Sequence, residues 1–190
     1  MKSMILDSND YSLEMRIWHK RQYEFASLFL CKSDTVLDLG CGTGYGCDIM
    51  NNVSDHVYGI DIESDSIEHA VENYHNCNFV LGDIRDMSVF PQYDVVTCFN
   101  VLEHFSSEDG LVFLDKICKK TKLMFFLNIP TDCKIGENMF HKTEWSEFEL
   151  NDILSQYFKR VVVLSQDWAS GLIQYPYSEQ HSFIMVVCIK

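Results

Sequence analysis

Residues 36–46 read VLDLGCGTGYG: a short apolar run closed by Asp38, then glycines at Gly40, Gly42, Gly44 and Gly46. This is the pattern of a strand running into a glycine turn. Without Cβ atoms such a turn accepts positive φ values and lets a ligand touch the backbone, while the helix expected to follow points unpaired N–H groups at the same spot. The stretch therefore reads as a nucleotide cradle. It lacks the lysine of a phosphate-gripping P-loop, and the G-x-G-x-G spacing from Gly40 differs from the G-x-G-x-x-G of dinucleotide sites.

Outward from this turn, strand-like runs recur at Val36 to Leu39, His56 to Ile60, Asn78 to Leu81, Val95 to Phe99, Leu123 to Ile129, Val161 to Leu164 and Ser182 to Ile189, with helical segments between most of them. The alternation predicts an α/β fold: a doubly wound, seven-stranded, mostly parallel sheet with helices on both faces. Only DWASGLIQYPYSEQ separates the last two runs, so the last strand is expected to be antiparallel. Apolar residues at helical spacing (Leu13, Ile17, Tyr23, Phe25, Leu28, Phe29) predict an N-terminal helix or helix pair within residues 1–33, placed to cover an active site. A chain of 190 residues fits one compact domain, 1–190.

In open sheets of this kind ligands bind at the carboxyl ends of the strands, near the reversal in strand order. Asp61 ends the second run, where a carboxylate can accept hydrogen bonds from both hydroxyls of a ribose. That acid suits NAD and other adenosyl cofactors alike. The third run leads into Asp83-Ile84-Arg85-Asp86, with Asp86 expected as a turn or helix cap. The fourth reads YDVVTCFNVLEHF, from Tyr93 through Asp94 and Asn100 to Glu103, His104 and Phe105.

Taken in order, these stretches over residues 36–105 resemble the motifs of class I S-adenosylmethionine (SAM) dependent methyltransferases, which implies a Rossmann-like sheet. WHKRQYEFA, from Trp18, and MFHKTEWSEFEL, from Met139, are similar to segments of the small bacterial members in sugar and surface-polysaccharide pathways. The usual Pro-Gly-Gly turn before strand five is replaced by KKTKL. The resemblance implies SAM as cofactor, held by Asp38, Gly40, Cys41, Gly42, Gly44, Tyr45, Asp61, Ile62, Asp83, Ile84 and Asn100. Asp83 would take the adenine amino group, and Ile62 and Ile84 would sandwich the ring. Within the MFHKTEWSEFEL segment, Thr143 or Ser146 is expected to cap a helix.

SAM brings its own leaving group, so the protein must mainly orient a nucleophile and remove its proton. Imidazole titrates in the right range, which makes His104 and His141 the candidate bases, with His19 behind them. Glu103, His104 and His141 also resemble part of the metal site of small-RNA 2′-O-methyltransferases. Asn100 stands where those enzymes have a further Glu, and a neutral amide is a poorer ligand for a hard cation, so no resident metal is expected. Trp168, Tyr175 and Tyr177, with Trp18 and Tyr23, could wall an acceptor site.

Composition narrows the partners. Fifteen Lys plus Arg against 28 Asp plus Glu give a formal charge of −13, which disfavours nucleic acid; the clusters His19-Lys20-Arg21 and Lys119 to Lys122 are too short to reverse that. Eight cysteines without a C-x-x-C pair or an apolar leader suggest reduced thiols, several (Cys77, Cys98, Cys188) inside strand-like runs. The expectation is a cytoplasmic SAM-dependent methyltransferase acting on a small-molecule or sugar acceptor, at oxygen rather than nitrogen, with no membrane partner. A metal-assisted RNA 2′-O-methyltransferase and a non-catalytic SAM-binding domain are the alternatives. Neither the acceptor nor the oligomeric state is legible.

Overall fold

The computed structural model describes residues 12–86, 90–131, 141–178 and 182–190. Met139 and Phe140, which open the MFHKTEWSEFEL stretch, and Cys133 lie outside them. The elements run α1 (Leu13–Ser27), β1 (Thr35–Leu39), α2 (Tyr45–Asn51), β2 (His56–Asp61), α3 (Ser64–Asn73), β3 (Asn78–Leu81), β4 (Tyr93–Phe99), α4 (Ser107–Lys120), β5 (Thr121–Pro130), α5 (Glu147–Leu154), β6 (Arg160–Gln166), β7 (Ile173–Gln174) and β8 (Phe183–Ile189). A 3-10 turn at Leu102–His104 follows β4.

The strands form one sheet in the order β3-β2-β1-β4-β5-β8-β6-β7. β1 to β5 pair in parallel, and β8 runs antiparallel to both β5 and β6. The expected count of seven strands with a single antiparallel one is corrected to eight: β7 adds an antiparallel pair on β6 through Ser165–Gln174 and Gln166–Ile173. Two residues are too short to leave a periodic signal in a sequence. Cys77 precedes β3 rather than sitting in it, and the seven described cysteines are free.

Strand periodicity sorts the core into two layers. In β4, Val96 and Cys98 enter one cluster with Phe113, Leu114 and Ile117 of α4 and Leu150 and Leu154 of α5. Val95 and Phe99 point the other way, into a cluster with Tyr23 and Ala26 of α1, Cys47 and Met50 of α2, and Ile67 of α3. β5 and β8 alternate in the same manner, with Phe125 and Leu127 against Phe126, and Val186 against Met185 and Val187.

The helix ends are written locally. The Ser12 hydroxyl accepts from Met15 N–H at the start of α1, and Ser106 does the same for Asp109 in α4. In α4 the first turn holds Glu108 and Asp109 and the last holds Lys119 and Lys120, matching the helix dipole at both ends. α4 then passes into β5 with no intervening loop, which is where KKTKL stands in place of a turn. Of the two expected caps for α5, Ser146 is the one used: it forms a capping box with Glu149. Thr143 instead donates to Phe105 O at 2.8 Å.

Candidate functional site

The glycine turn is pinned to the neighbouring strand by its own backbone. Gly40 and Cys41 N–H donate to Ile60 O at 2.9 and 3.0 Å. Gly42 N–H donates to Asp61 Oδ2 at 2.8 Å, and Glu63 N–H to Asp61 Oδ1 at 2.9 Å. Asp61 is thus oriented by two main-chain donors, and each of its oxygens keeps a lone pair for a ligand. Gly40 has φ +73°, and a Cβ there would lie 2.4 Å from Val101 Cγ2, so the turn and the segment that follows β4 can close on each other only around a glycine.

A cavity of about 870 Å³ opens over the carboxyl ends of β1, β2 and β4. Gly40, Cys41, Gly42, Tyr45, Asp61 and Ile62 line it, and Asp83, Ile84 and Asn100 are also in its wall. Two residues expected at the cofactor stand elsewhere. Gly44 supports the turn from beneath: a Cβ at its position would meet Ala70 and Phe79 at 2.7 and 2.8 Å. Asp38 is fully buried under the turn, on the face covered by α1 and α2.

Asp38 Oδ1 accepts from Thr97 Oγ1 at 2.7 Å, and the Cys47 thiol lies 3.7 Å from Oδ2. Burial raises its carboxyl to about 7, only partly offset by the hydrogen bonds from Thr97, Tyr23 and Cys47. The sign follows from linkage. A folded-state pKa above the unfolded value near 4 means that the native state holds the proton longer, so stability falls as pH rises from about 4 to about 7 and then levels off. A shift of this size amounts to about 4 kcal/mol. Asp38→Asn keeps the acceptor for Thr97 without the charge, so urea melts at pH 5 and pH 8 should differ by less in the variant than in the wild type. An equal difference would rule out Asp38 as its source.

Asp83 does not face the cavity as an open carboxylate. The Arg85 guanidinium grips it through Nε, at 2.8 and 2.9 Å, and through Nη2, and Arg85 N–H donates to Oδ1 at 2.9 Å. These contacts hold its carboxyl below the usual range. Any adenine amino group would share Asp83 with Arg85, a lining residue that sequence reading passed over. The turn after β3 is capped by Asp83 itself; Asp86 supplies the N–H that closes it onto Asp83 O, at 3.0 Å. Ile62 is exposed and Ile84 packs on the α4-side core, with both edges reaching the cavity. Thr43, inside the glycine turn, also lines it, as do Met15 and Phe183, whose sequence context carries no mark.

α1 supplies Trp18, His19 and Tyr23 to the lining. Tyr45 Oη lies 2.9 Å from His19 Nδ1, and burial pulls His19 down to about 4, so its imidazole is neutral at physiological pH. Trp18, Trp168 and Phe183 form an aromatic cluster, with ring centroids 4.1 to 5.9 Å apart. Tyr175 and Tyr177 are not part of it: Tyr177 packs against the α4-side core, and both border a shallow groove beside β6.

The two candidate bases come together. The 3-10 turn after β4 carries Glu103 and His104, and Glu103 O accepts from Lys142 N–H at 2.8 Å, stitching residues 141–143 to that turn. The His104 and His141 rings meet edge to face at 5.2 Å. Burial, with His104 nearby, lowers the pKa of His141. Glu103 is buried, its Oε2 has no hydrogen-bond partner, and burial raises its carboxyl to about 8. One ligating atom from each of Glu103, His104 and His141 lies within 4.8 Å of the others.

Residues 36–122 match a family model described as a methyltransferase domain. A probable SAM-dependent methyltransferase of Mycolicibacterium smegmatis is 26% identical over 131 residues, covering 65% of this chain and 51% of that protein. The ubiquinone biosynthesis O-methyltransferase of Glaesserella parasuis is 26% identical over 161 residues, covering 65% of this chain and 68% of that one. Magnesium protoporphyrin IX methyltransferase from Synechocystis, solved with bound S-adenosylhomocysteine, shares the fold of this chain: TM-score 0.74 at 16% identity, over 98% of this chain and 91% of that one. The chain spans about half the length of the mycobacterial relative. Among the described residues no helix is long and apolar enough to cross a membrane.

Proposed function

We propose that the protein transfers the methyl group of SAM to a hydroxyl of a small-molecule or glycan-like acceptor. The observation that carries this reading is that Asp61, Gly40 and Gly42 line the same cavity as His104 and His141. Its volume suits a small molecule, for which sites of roughly 300–1,000 Å³ are usual. SAM supplies an electrophilic methyl on a sulfonium leaving group. The protein's own part is to seat the ribose on Asp61, the adenine between Ile62 and Ile84, and the methionine end against Gly40, Cys41, Tyr45 and Asn100. At the acceptor, an imidazole of His104 or His141 would take the proton of the hydroxyl as its oxygen is methylated.

Oxygen is favoured as the acceptor because a hydroxyl needs a base and two imidazoles stand beside the cavity. The Glaesserella relative, an O-methyltransferase, points the same way. The glycan-like alternative rests on the WHKRQYEFA and MFHKTEWSEFEL segments. Calorimetry with S-adenosylhomocysteine should show saturable binding, and labelled SAM should pass label to a small molecule in an extract. Binding without transfer would make this a non-catalytic SAM-binding domain; no binding would end the reading.

A second reading has its own observation. A buried carboxylate oxygen without a donor beside two imidazoles suits a divalent cation of the Mn²⁺ or Zn²⁺ type. Glu103, His104 and His141 would hold it, and it would stabilise a deprotonated acceptor hydroxyl. Titration with Mn²⁺ should then show one site that is lost in Glu103→Gln, and chelators should abolish transfer. Transfer that is indifferent to chelators would leave the imidazoles as the base. RNA remains a poor acceptor for so acidic a chain.

A further inference from the structure

Four carboxamides run head to tail beneath the cavity. Gln166 Nε2 donates to two backbone carbonyls, Trp18 O at 3.1 Å and Gly171 O at 3.3 Å. Gln166 Oε1 accepts from Asn128 Nδ2 at 2.9 Å, Asn128 Oδ1 from Gln22 Nε2 at 3.5 Å, and Gln22 Oε1 from Asn100 Nδ2 at 3.2 Å. Gln22, Asn128 and Gln166 are wholly buried. Asn100 lines the cavity, with φ +59° at the end of β4, and its Oδ1 is buried without a partner.

The direction of this chain is dictated from its far end. Only an amide N–H₂ can face two carbonyl oxygens, so Gln166 cannot flip. Its oxygen then requires the Asn128 nitrogen, the Asn128 oxygen requires the Gln22 nitrogen, and the Gln22 oxygen requires the Asn100 nitrogen. Asn100 is left presenting oxygen, and never nitrogen, as its remaining group. Aligned amides also polarise one another, which strengthens the acceptor at the head.

We infer that this chain makes Asn100 Oδ1 an amine-selective acceptor for the methionine end of the cofactor, with Gln22, Asn128 and Gln166 as positioning residues. The inference rests on the SAM reading. With the ribose on Asp61 of β2 and the glycine turn of β1 between them, the opposite end of the cofactor reaches β4. There the α-ammonium is the hydrogen-bond donor, whereas the carboxylate can only accept and would be repelled. The far anchors, Trp18 O on α1 and Gly171 O after Trp168, belong to the segments that wall the acceptor side of the cavity. The orientation of Asn100 therefore depends on those segments being in place.

The test compares S-adenosylhomocysteine with its desamino analogue, identical except that the amino group is absent, by calorimetry. Wild type should prefer the amine by about 10- to 100-fold, the scale of one hydrogen bond to a charged group. Gln22→Leu and Gln166→Leu release Asn100 to flip and should lose most of that preference while binding the desamino analogue as wild type does. Gln22→Glu, protonated in its buried site, keeps an oxygen toward Asn100 and an O–H toward Asn128, and should retain the preference. Equal loss of both ligands, or an unchanged preference in the Leu variants, would overturn the inference and leave SAM binding intact. Failure of wild type to bind either ligand would remove the SAM reading and this inference with it.

Discussion

Asp61→Ala is expected to lower affinity for S-adenosylhomocysteine by about 10²- to 10⁴-fold, the loss of two charge-assisted hydrogen bonds to the ribose. The same substitution leaves the N–H groups of Gly42 and Glu63 without their acceptor, so the glycine turn loosens as well. Asp61→Asn should fall almost as far. One amide oxygen can serve one of the two main-chain donors, but the amide nitrogen then meets the other donor. Calorimetry measures the affinity, and circular dichroism shows whether the sheet survives. Affinity equal to wild type in a folded Asp61→Ala protein would mean that the ribose sits elsewhere.

His104→Ala and His141→Ala are each expected to reduce turnover by about 10²- to 10⁴-fold, the usual contribution of a positioned base. Affinity for S-adenosylhomocysteine should stay near wild type, because neither residue is among those proposed to hold the cofactor. The two ring centroids lie 5.2 Å apart, so the double variant should be little worse than the poorer single one if they act as a unit. Multiplied losses would instead indicate separate roles, for example one imidazole on the proton and the other on the acceptor's position. Turnover unchanged in both single variants would remove imidazole catalysis from the mechanism.

Much of this site is legible before any fold is known, because the residues concerned lie in consecutive strand-turn-helix units. Gly40, Gly42, Asp61, Asp83 and Asn100 each fall at the carboxyl end of a strand whose apolar run is plain in the sequence. Parallel strands with covered faces bring such ends to one edge of the sheet. Other features depend on neighbours far along the chain. Asp38 closes a run as Asp61 does, yet it points down among Thr97, Tyr23 and Cys47, because in β1 it shares a face with Val36 and not with Leu37 and Leu39. Arg85, two residues from Asp83, leaves no sign in sequence that it will fold back onto that carboxylate.

Polar residues inside apolar runs were the available signal for the buried network: Asn128 in TKLMFFLNIP and Gln166 at the end of RVVVLSQ break otherwise hydrophobic strands. Their partners, Gln22 and Asn100, lie in α1 and at the end of β4. By itself the sequence determined the α/β alternation, the glycine turn and the set of strand-end acids, since each depends on contacts within about one strand and one helix. The tertiary structure alone decided that β7 adds an eighth strand, that His141 meets His104, that Asp38 and Gly44 support the turn from below, and that four carboxamides align toward Asn100. Those outcomes depend on strand order and on which face each side chain meets, and both are settled only when distant segments pack together.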